Sequence, residues 1–548
     1  MRHIAYRFLA AISPARVGRG ALTRPGRAKL DCCPRSRQGS IRHGLQGAAL
    51  VTFMITFVLA AATAETRPHY GGTLRVMLQS APGTLDLPAN TTPADYWDMA
   101  RTLSLVGDTL VRMDAQGRPQ PALAVSWQSD ATARHWQFTL RRGVKFHDGS
   151  AASPTAIAQI LGALHPGWNV HASADAVSIN IDIDSEAPMA SLLAELALPR
   201  NLLLKRNAND IPIGTGPFLV AELQPRKLLK LAAYEESWAG RPFVDAVEIE
   251  FGKSLRDQAI ALELEKTDVI QAAPQTTGGS QRYGVSSSSS SPSSLSMSLP
   301  VELMAMVFSA NSKAQDPRLR EALALAIDRK PIQSVLLKGA GEPAASILPN
   351  WMTGYSAVFS TQANPQRART VLAGSRQPAL NLSYDARDPQ AQLIAERIAL
   401  NAREVGITVQ VSLSGAEDVR LMRVVLPSPV PATSLGEAAR QLGLQPPLLP
   451  TPRGDSLGLG LDLDDLYRAE RSLLDGYAVI PLFHLPVAIT TSVRVRDWEP
   501  GRLGAWSEGG SSLGDLWLSD RRLADQRSAN QGPTDSRFYG PQPEAGSR

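Results

Sequence analysis

Residues 141–150 read RRGVKFHDGS and set His147 beside Asp148, directly before Gly149. Such a pair is catalytic machinery, half of a metal site, or the corner where a chain turns. Asp-Gly is a strong turn dipeptide, because glycine takes positive φ freely and an aspartate side chain bonds the nearby backbone. The flanks agree with a corner. Residues 135–140, HWQFTL, alternate polar and apolar, the period of a strand with one buried face, and 144–146, VKF, read as a second short strand.

Catalysis by the pair would need a nucleophile. The pattern G-x-S-x-G occurs at 454–458 and at 510–514. A nucleophile elbow requires a strand before its serine and a helix after it, whereas the first match follows a proline-rich loop and the second sits among glycines and serines. A metal would need further ligands. Beyond residue 64 the histidines are His69, His135, His147, His165, His171 and His484, with no H-E-x-x-H and no i, i+4 pair. His484 lies in an apolar run and reads as a core or cleft-wall residue. Gly214-Thr215-Gly216 lacks the Lys-Ser/Thr of a phosphate loop, and Asp462, Asp464 and Asp465 suit a capped helix start. No catalytic residue, cofactor or metal site is expected.

The chain has 548 residues, 43% hydrophobic and 20% charged, which suits a globular protein of two or three domains or lobes. Its formal charge of +5 is misleading. Residues 1–64 contain 10 Lys+Arg and one acid, Asp31, so subtraction from 56 and 51 leaves 46 basic and 50 acidic residues, about −4, for the rest. The basic character belongs to the leader, and no surface for nucleic acid is implied. Arg42 and His43 precede the apolar run 48–64, AALVTFMITFVLAAATA, which ends small-x-small, the build of a secretory signal peptide. An uncleaved anchor is the competing reading. Cys32 and Cys33 both fall in this leader, so the exported chain holds together by burial alone.

Further along, Asp316 and Pro317 open a helix, 316–337, whose stripe is Leu319, Ala322, Leu323, Ala326 and Ile327. A second helix from Gln392 stops at Gly406 and continues as a strand to Val411. Residues 95–113 have helical character, 177–183 and 246–251 alternate, and 189–198 carry helical spacing. The serine run 286–291 reads equally as linker, polar loop or edge strand. Near the end come a helix at 463–474 and a strand at 479–485. Strands and helices mix throughout, the mark of an α/β or α+β chain.

Several segments, in order, carry a resemblance. They are YGGTL at 70–74, DTLV at 108–111, PALAVSW at 121–127 and FTLR at 138–141 with VKFHDG at 144–149. GTGPF at 214–218, RLREALALAIDR at 318–329 and IPL at 480–482 follow. In that order over some 410 residues, the chain resembles the family-5 extracellular solute-binding proteins, the peptide/nickel-type binding components of ABC importers. In that family the F-H-D-G segment is architectural, which answers the question raised by 141–150.

The resemblance implies an α/β, bilobal periplasmic-binding-protein fold with a third subdomain inserted in lobe I. Mapped here, 1–64 is leader and signal peptide, and lobe I takes 65–100, 210–295 and 455–525. The insert is 101–209, lobe II is 300–454, and 526–548 is a disordered tail. It implies a periplasmic monomer, exported by a signal at about 42–64, that closes on a small solute and delivers it unaltered to membrane permease subunits. By family frequency the solute is a short peptide; a nickel chelate, an oligosaccharide, or a degenerate role as sensor or chaperone are the alternatives, with an exported hydrolase last. Peptide binders of the family carry a Trp/Asp/Tyr/Pro-rich segment whose acid pairs with the peptide's amino terminus. Here that stretch, 424–459, has no aromatic residue and only Glu437 and Asp455 as acids, so no peptide-anchoring aspartate is carried over. The expected ligand-binding residues are Trp351 and Tyr355, in a loop after Pro349, and Tyr384 and Asp385, at the end of the strand 379–384.

Overall fold

A computed structural model describes residues 68–519, except 88–91, 131–133, 182–191, 275–292, 356–357, 376, 389, 414–416, 448, 450–461, 499, 505 and 509–510. The leader with Cys32 and Cys33, the serine run 286–291, the first G-x-S-x-G match and the tail 526–548 lie outside the described residues. All described residues belong to one unit, 68–548.

β1 (Thr73–Met77) opens a large sheet, and α1 (Pro93–Val106) follows, with Thr92 capping it by accepting from the Asp95 amide and Pro93 in its first turn. A separate small sheet comes next. In it β2 (Ala124–Ser129) pairs with β3 (His135–Leu140), α2 (Pro154–Leu164) intervenes, and β4 (Trp168–Ala172) and β5 (Ala176–Ile181) complete the order β2-β3-β5-β4. Phe138, Phe146, Ile157, Leu161, Val177 and Leu193 make a core of its own.

The chain then rejoins the large sheet through β6 (Phe218–Gln224), β7 (Leu228–Ala233) and β8 (Ala246–Glu250). α3 (Leu255–Glu263), β9 (Val269–Ala272) and the long β10 (Ser293–Phe308) follow. Next come α4 (Pro317–Ala326), β11 (Leu380–Tyr384), α5 (Ala391–Glu404), β12 (Val409–Val411), β13 (Val419–Val425), α6 (Pro431–Gln441), α7 (Leu463–Leu474) and the long β14 (Val479–Ser492). Along the sheet the order is β6-β7-β8-β1-β9-β14-β10-β13-β11-β12. The β6-to-β9 half packs on Leu74, Leu103, Phe218, Leu231, Val247 and Trp506. The other half is covered on both faces. Met304 and Met306 join Leu323, Ile394 and Phe483 on one side, while Leu303 and Ala305 join Leu435 and Leu466 on the other, the period of two expected of a strand buried on both faces.

β10 and β14 tie these halves together. β14 pairs with β9 through Ala488–Thr491 and with β10 over most of its length. Where the two strands pass between the halves, Pro300 stands opposite Pro486 and the register shifts on either side. A proline donates no ladder hydrogen bond, so opposed prolines interrupt the pairing there and leave a point of bending. The two halves, joined by β10 and β14, give the chain its α/β, bilobal architecture.

The helix beginning at Pro317 buries Leu319, Ala322, Leu323 and Ala326 as the stripe required, but it ends at Ala326 instead of running to 337. Pro331 would set its ring against the carbonyl four residues back, at Ile327, so the chain breaks there and resumes in short turns, Arg329–Pro331 and Ile332–Leu336. Gly406, at φ +92°, separates α5 from β12 as read.

At 141–150 the corner is as expected, though Val144 to Phe146 forms only a single bridge, Lys145 with Ala151, and no second strand. Gly149 takes φ +79°, its amide donates to the Phe146 carbonyl at 2.8 Å, and Asp148 accepts from the Ser150 amide at 3.1 Å and hydroxyl at 2.7 Å. His147 does not pair with Asp148. Its Nε2 donates to the Gly216 carbonyl at 3.0 Å, while its Nδ1 accepts the Gly214 amide at 3.4 Å. Those glycines are needed for close approach: a Cβ on Gly214 would lie 2.1 Å from the Val106 carbonyl oxygen, at the end of α1. His147 therefore staples the turn at 214–216 to the corner. At 511–514, Ser511–Ser512 pairs antiparallel with Ser507–Glu508 and a single 3-10 turn follows, which is not the strand-turn-helix of a nucleophile elbow.

Candidate functional site

Two cavities lie between the halves, on opposite sides of a wall made by Trp97 and Arg101 of α1, which line both. These residues are four apart on one helix, so their side chains share a face, and the Arg101 guanidinium lies 5.4 Å from the centre of the Trp97 ring.

The first cavity, about 330 Å³, is walled by α1, the turn at 107–109, residues 194–202 and 237–241, Pro427, Ser428 and Pro429 after β13, and Leu503, Trp506, Gly514 and Asp515. Trp97, Trp238 and Trp506 supply its aromatic walls. Trp238 is fixed from several directions. Its Nε1 donates to Asp108 at 2.9 Å, and Arg141 and Arg112 lie over its ring at 4.5 and 5.7 Å. Thr215 also donates to Asp108, at 3.0 Å. Among the described residues, Trp97 Nε1, Arg101 Nη2, Ser237 Oγ and Trp506 Nε1 are buried with no hydrogen-bond partner, and all four residues line this cavity. Each unpartnered buried donor costs about 1–3 kcal/mol, and these four atoms are enclosed by protein with almost no surface open to the cavity.

Arg101 is held in place by its own helix and by the C-terminal strand region. Its Nε donates to the Gly504 carbonyl at 2.7 Å, and its Nη1 stands 3.8 Å from Asp98. Burial pulls the guanidinium below its usual range, with Asp98 and Glu302 opposing. Burial likewise raises Asp98 to about 6 against the pull of Arg101. Asp98 accepts the Ser80 amide at 3.1 Å and the Gln271 side chain at 2.8 Å, which anchors α1 to β1 and β9.

The second cavity, about 460 Å³, is lined from one half by Ser80, Thr92, Asp95 and Gln271, and from the other by Glu302, Asp385, Arg387, Asp388 and Arg423. Here the charges largely answer one another. Arg423 bonds Asp388 at 2.7 Å and Glu302 at 3.2 Å. Burial, which works against that guanidinium, is outweighed by the two carboxylates and its pKa is raised. Glu302 is raised as well, because burial outweighs Arg423. Arg387, on the loop after β11, crosses to α1 and bonds Asp95 at 3.0 Å and Thr92 at 3.0 Å. A matching tie lies nearer the first cavity, where Arg200 bonds Glu437 of α6 and Glu195, each at 2.6 Å.

Of the residues expected from sequence, Asp385 lines the second cavity, where it accepts from Arg387 at 3.3 Å. Trp351, Tyr355 and Tyr384 line neither cavity. Trp351 donates to the Pro300 carbonyl at 2.9 Å and packs with Trp97, Leu299 and Val301 at the strand crossing. Tyr355 donates to the buried Glu470 and meets Tyr467 edge-on, and Tyr384 packs against the Leu323 core. His484 is a core residue whose Nε2 bonds the Ile347 carbonyl at 3.0 Å. Sequence reasoning passed over Trp97, Arg101, Trp238 and Trp506. The available signal was Arg101 itself, a charge on the apolar stripe of a helix, where burial is costly without a purpose.

The family model for bacterial extracellular solute-binding proteins, family 5 Middle, matches residues 118–421, more than half of the chain. The chain is 25% identical over 353 residues to the nickel-binding periplasmic protein of Escherichia coli, which covers 58% of this chain and 66% of that one. It is 24% identical over 365 residues to di/tripeptide-binding protein 2 of Pseudomonas aeruginosa, covering 57% and 65%. Both matches thus span just under two thirds of the relative's length. Among solved structures, a dipeptide-binding protein of Pseudoalteromonas in complex with Met-Leu superposes with a TM-score of 0.66 at 18% identity, over 82% of this chain and 100% of that one. The oligopeptide-binding protein of Bacillus subtilis in complex with a nonapeptide gives 0.65 at 14%, over 83% and 100%.

Proposed function

The chain belongs to the bacterial extracellular solute-binding proteins of family 5, and from that premise we propose that it is the binding component of an ABC importer. It captures a small solute, a short peptide in the first instance, between its two halves and delivers it to permease subunits in the membrane. The family is one of binding proteins, so no bond of the solute is made or broken. The leader at about 42–64 exports it, and among the described residues no helix is long and apolar enough to cross a membrane. The division into lobe I (65–100, 210–295, 455–525), insert (101–209) and lobe II (300–454) goes with this reading, as does a place for Asp385 at the closing cleft.

One observation carries the proposal: two long strands, β10 and β14, join the halves with opposed prolines at the crossing, and cavities lined from both halves flank it. That is the build of a hinged clamp. The test is native mass spectrometry of the protein purified from its own periplasm, followed by recovery of the bound compound. The expected result is a stoichiometric solute, recovered unchanged, that raises the melting temperature when added back. Recovery of a chemically altered product would sink the proposal. A sensor or chaperone role is favoured by one feature only, the segment 424–459 without aromatics, and would show as a protein that binds its solute yet complements no transport defect.

A further inference from the structure

Resting on that reading, we propose that Trp97 and Arg101 set the upper size of the solute. They stand as a fixed partition across the cleft, and the chamber on their Trp238 side accepts a compound of dipeptide to tripeptide length while turning away an extended oligopeptide.

The partition reaches from one half to the other. Trp97 belongs to α1, yet it packs with Val301 of β10 and Val425 of β13, together with Leu299 and Leu503. Its neighbours along the helix do the same. Asp95 receives Arg387 at 3.0 Å from the loop after β11. Tyr96 meets Trp97 edge-on with ring centres 5.8 Å apart, and burial, with Glu437 of α6 nearby, raises its phenol pKa. Three successive residues thus dock the start of α1 on the far half.

The partition is also fixed. Trp97 is 5% exposed and Arg101 2%, so both are enclosed by protein and act as wall rather than as seats. Arg101 donates to the Gly504 carbonyl at 2.7 Å, and Asp98 beside it is bonded to the Ser80 amide and the Gln271 side chain. Side chains packed this way are part of the core, and a longer guest displaces them only by disturbing that packing.

The consequence is a limit on length. The space of about 460 Å³ on the far side of the wall is bordered by charges that already answer one another, which leaves about 330 Å³ on the Trp238 side. That volume lies at the small end of the usual range for ligand sites, roughly 300–1,000 Å³. A rounded space of that volume is about 9 Å across, whereas an extended chain of two residues spans about 7 Å and one of five about 17 Å. Selectivity here comes from a clash with the wrong solute, not from an added contact with the right one.

The test uses the exported full chain and a peptide ladder: Phe-Ala, Phe-Ala-Ala and Phe-Ala-Ala-Ala-Ala. Affinities are measured by calorimetry and melting temperature, and the mass of any solute co-purified from the periplasm is determined alongside. Phe-Ala is expected to bind about tenfold or more tightly than the pentapeptide, and any co-purified solute to be no larger than a tripeptide. Trp97→Ala, which opens the wall, should cut that ratio by about threefold or more. If the variant does not fold, the wild-type ladder and the co-purified mass decide. A smaller ratio in the wild type, a co-purified compound larger than a tripeptide, or a folded Trp97→Ala protein that keeps the wild-type ratio would each overturn the inference and leave the solute-binding reading standing. Failure of every peptide, with nothing co-purified, would overturn that reading and this inference with it.

Discussion

The two cavities either side of Trp97 and Arg101 have similar size and opposite logic. On one side Arg423, Asp388, Glu302, Arg387 and Asp95 satisfy one another, so the space between them is already electrically settled. On the other, three tryptophans, Trp97, Trp238 and Trp506, wall the space. A paired set of charges recovers its desolvation internally and holds two surfaces together, whereas aromatic walls offer apolar area that a solute can bury. The difference teaches a division of labour across one helix face: a seam that closes the halves, and a chamber that waits for a guest.

The most direct way to break this comparison is to unpair the seam. Arg423→Met would leave Glu302 and Asp388 without their cation in a mostly buried site. Losing one partner of a buried pair costs about 3–5 kcal/mol, and the lower end applies because about 20% of the Arg423 side chain is still exposed. Urea unfolding of the empty protein should show a loss of about 3 kcal/mol, with the ranking of solutes unchanged. A large change in solute preference with little loss of stability would mean the roles of the cavities are reversed.

Two buried groups near the wall and the crossing sharpen the comparison through pH. Burial raises Asp98 from 3.8 to about 6, so the folded state holds a proton the unfolded chain has released, and stability falls as pH rises through that window. Burial lowers His484 from 6.5 to about 4, so the unfolded chain takes the proton first, and stability falls as pH drops from 6.5 to 4. Each effect is worth about 3 kcal/mol, and the signs oppose over pH 4–6. Compared with wild type, Asp98→Asn should therefore lose stability more steeply on acidification, and His484→Gln more steeply toward neutrality. Urea midpoints at pH 4, 5, 6 and 7 would show it. Parallel curves for the three proteins would remove both groups from the account.

What could be read from sequence divides along a similar line. The stripe of Leu319, Ala322, Leu323 and Ala326, the stop at Gly406 and the turn at Asp148-Gly149 are local, set by period, capping and positive φ, and they stand where they were expected. The crossing strands are not local. Residues 479–485 read as a strand, but β14 runs on through Pro486 to Ser492, because Pro486 sits at a register shift opposite Pro300 and breaks no regular ladder bond. No periodicity announces that arrangement. For the site, loop aromatics were the natural choice, yet Trp351 turns inward to the Pro300 carbonyl and Tyr355 to Glu470, each spending its polar atom on the scaffold. Trp97, Trp238 and Trp506 come from stretches more than a hundred residues apart, so only the assembled fold brings them together.

The smallest expected effect concerns the seam's outer tie. Arg387 is half exposed and Asp95 about 29% exposed, so their pair is worth about 0.5 kcal/mol to stability and is screened by salt. It nevertheless joins the two halves, and any contact made only when they are closed biases that equilibrium by its own free energy. Arg387→Gln should leave the melting temperature nearly unchanged while weakening solute affinity by about two- to threefold. Small-angle scattering of the empty protein should register a slightly larger radius of gyration, and raising the salt concentration should reproduce both changes in the wild type. If affinity and scattering stay fixed while Arg423→Met still unfolds readily, then the paired cavity supports the fold alone, and closure is governed from the chamber side, where Arg200 bonds Glu437.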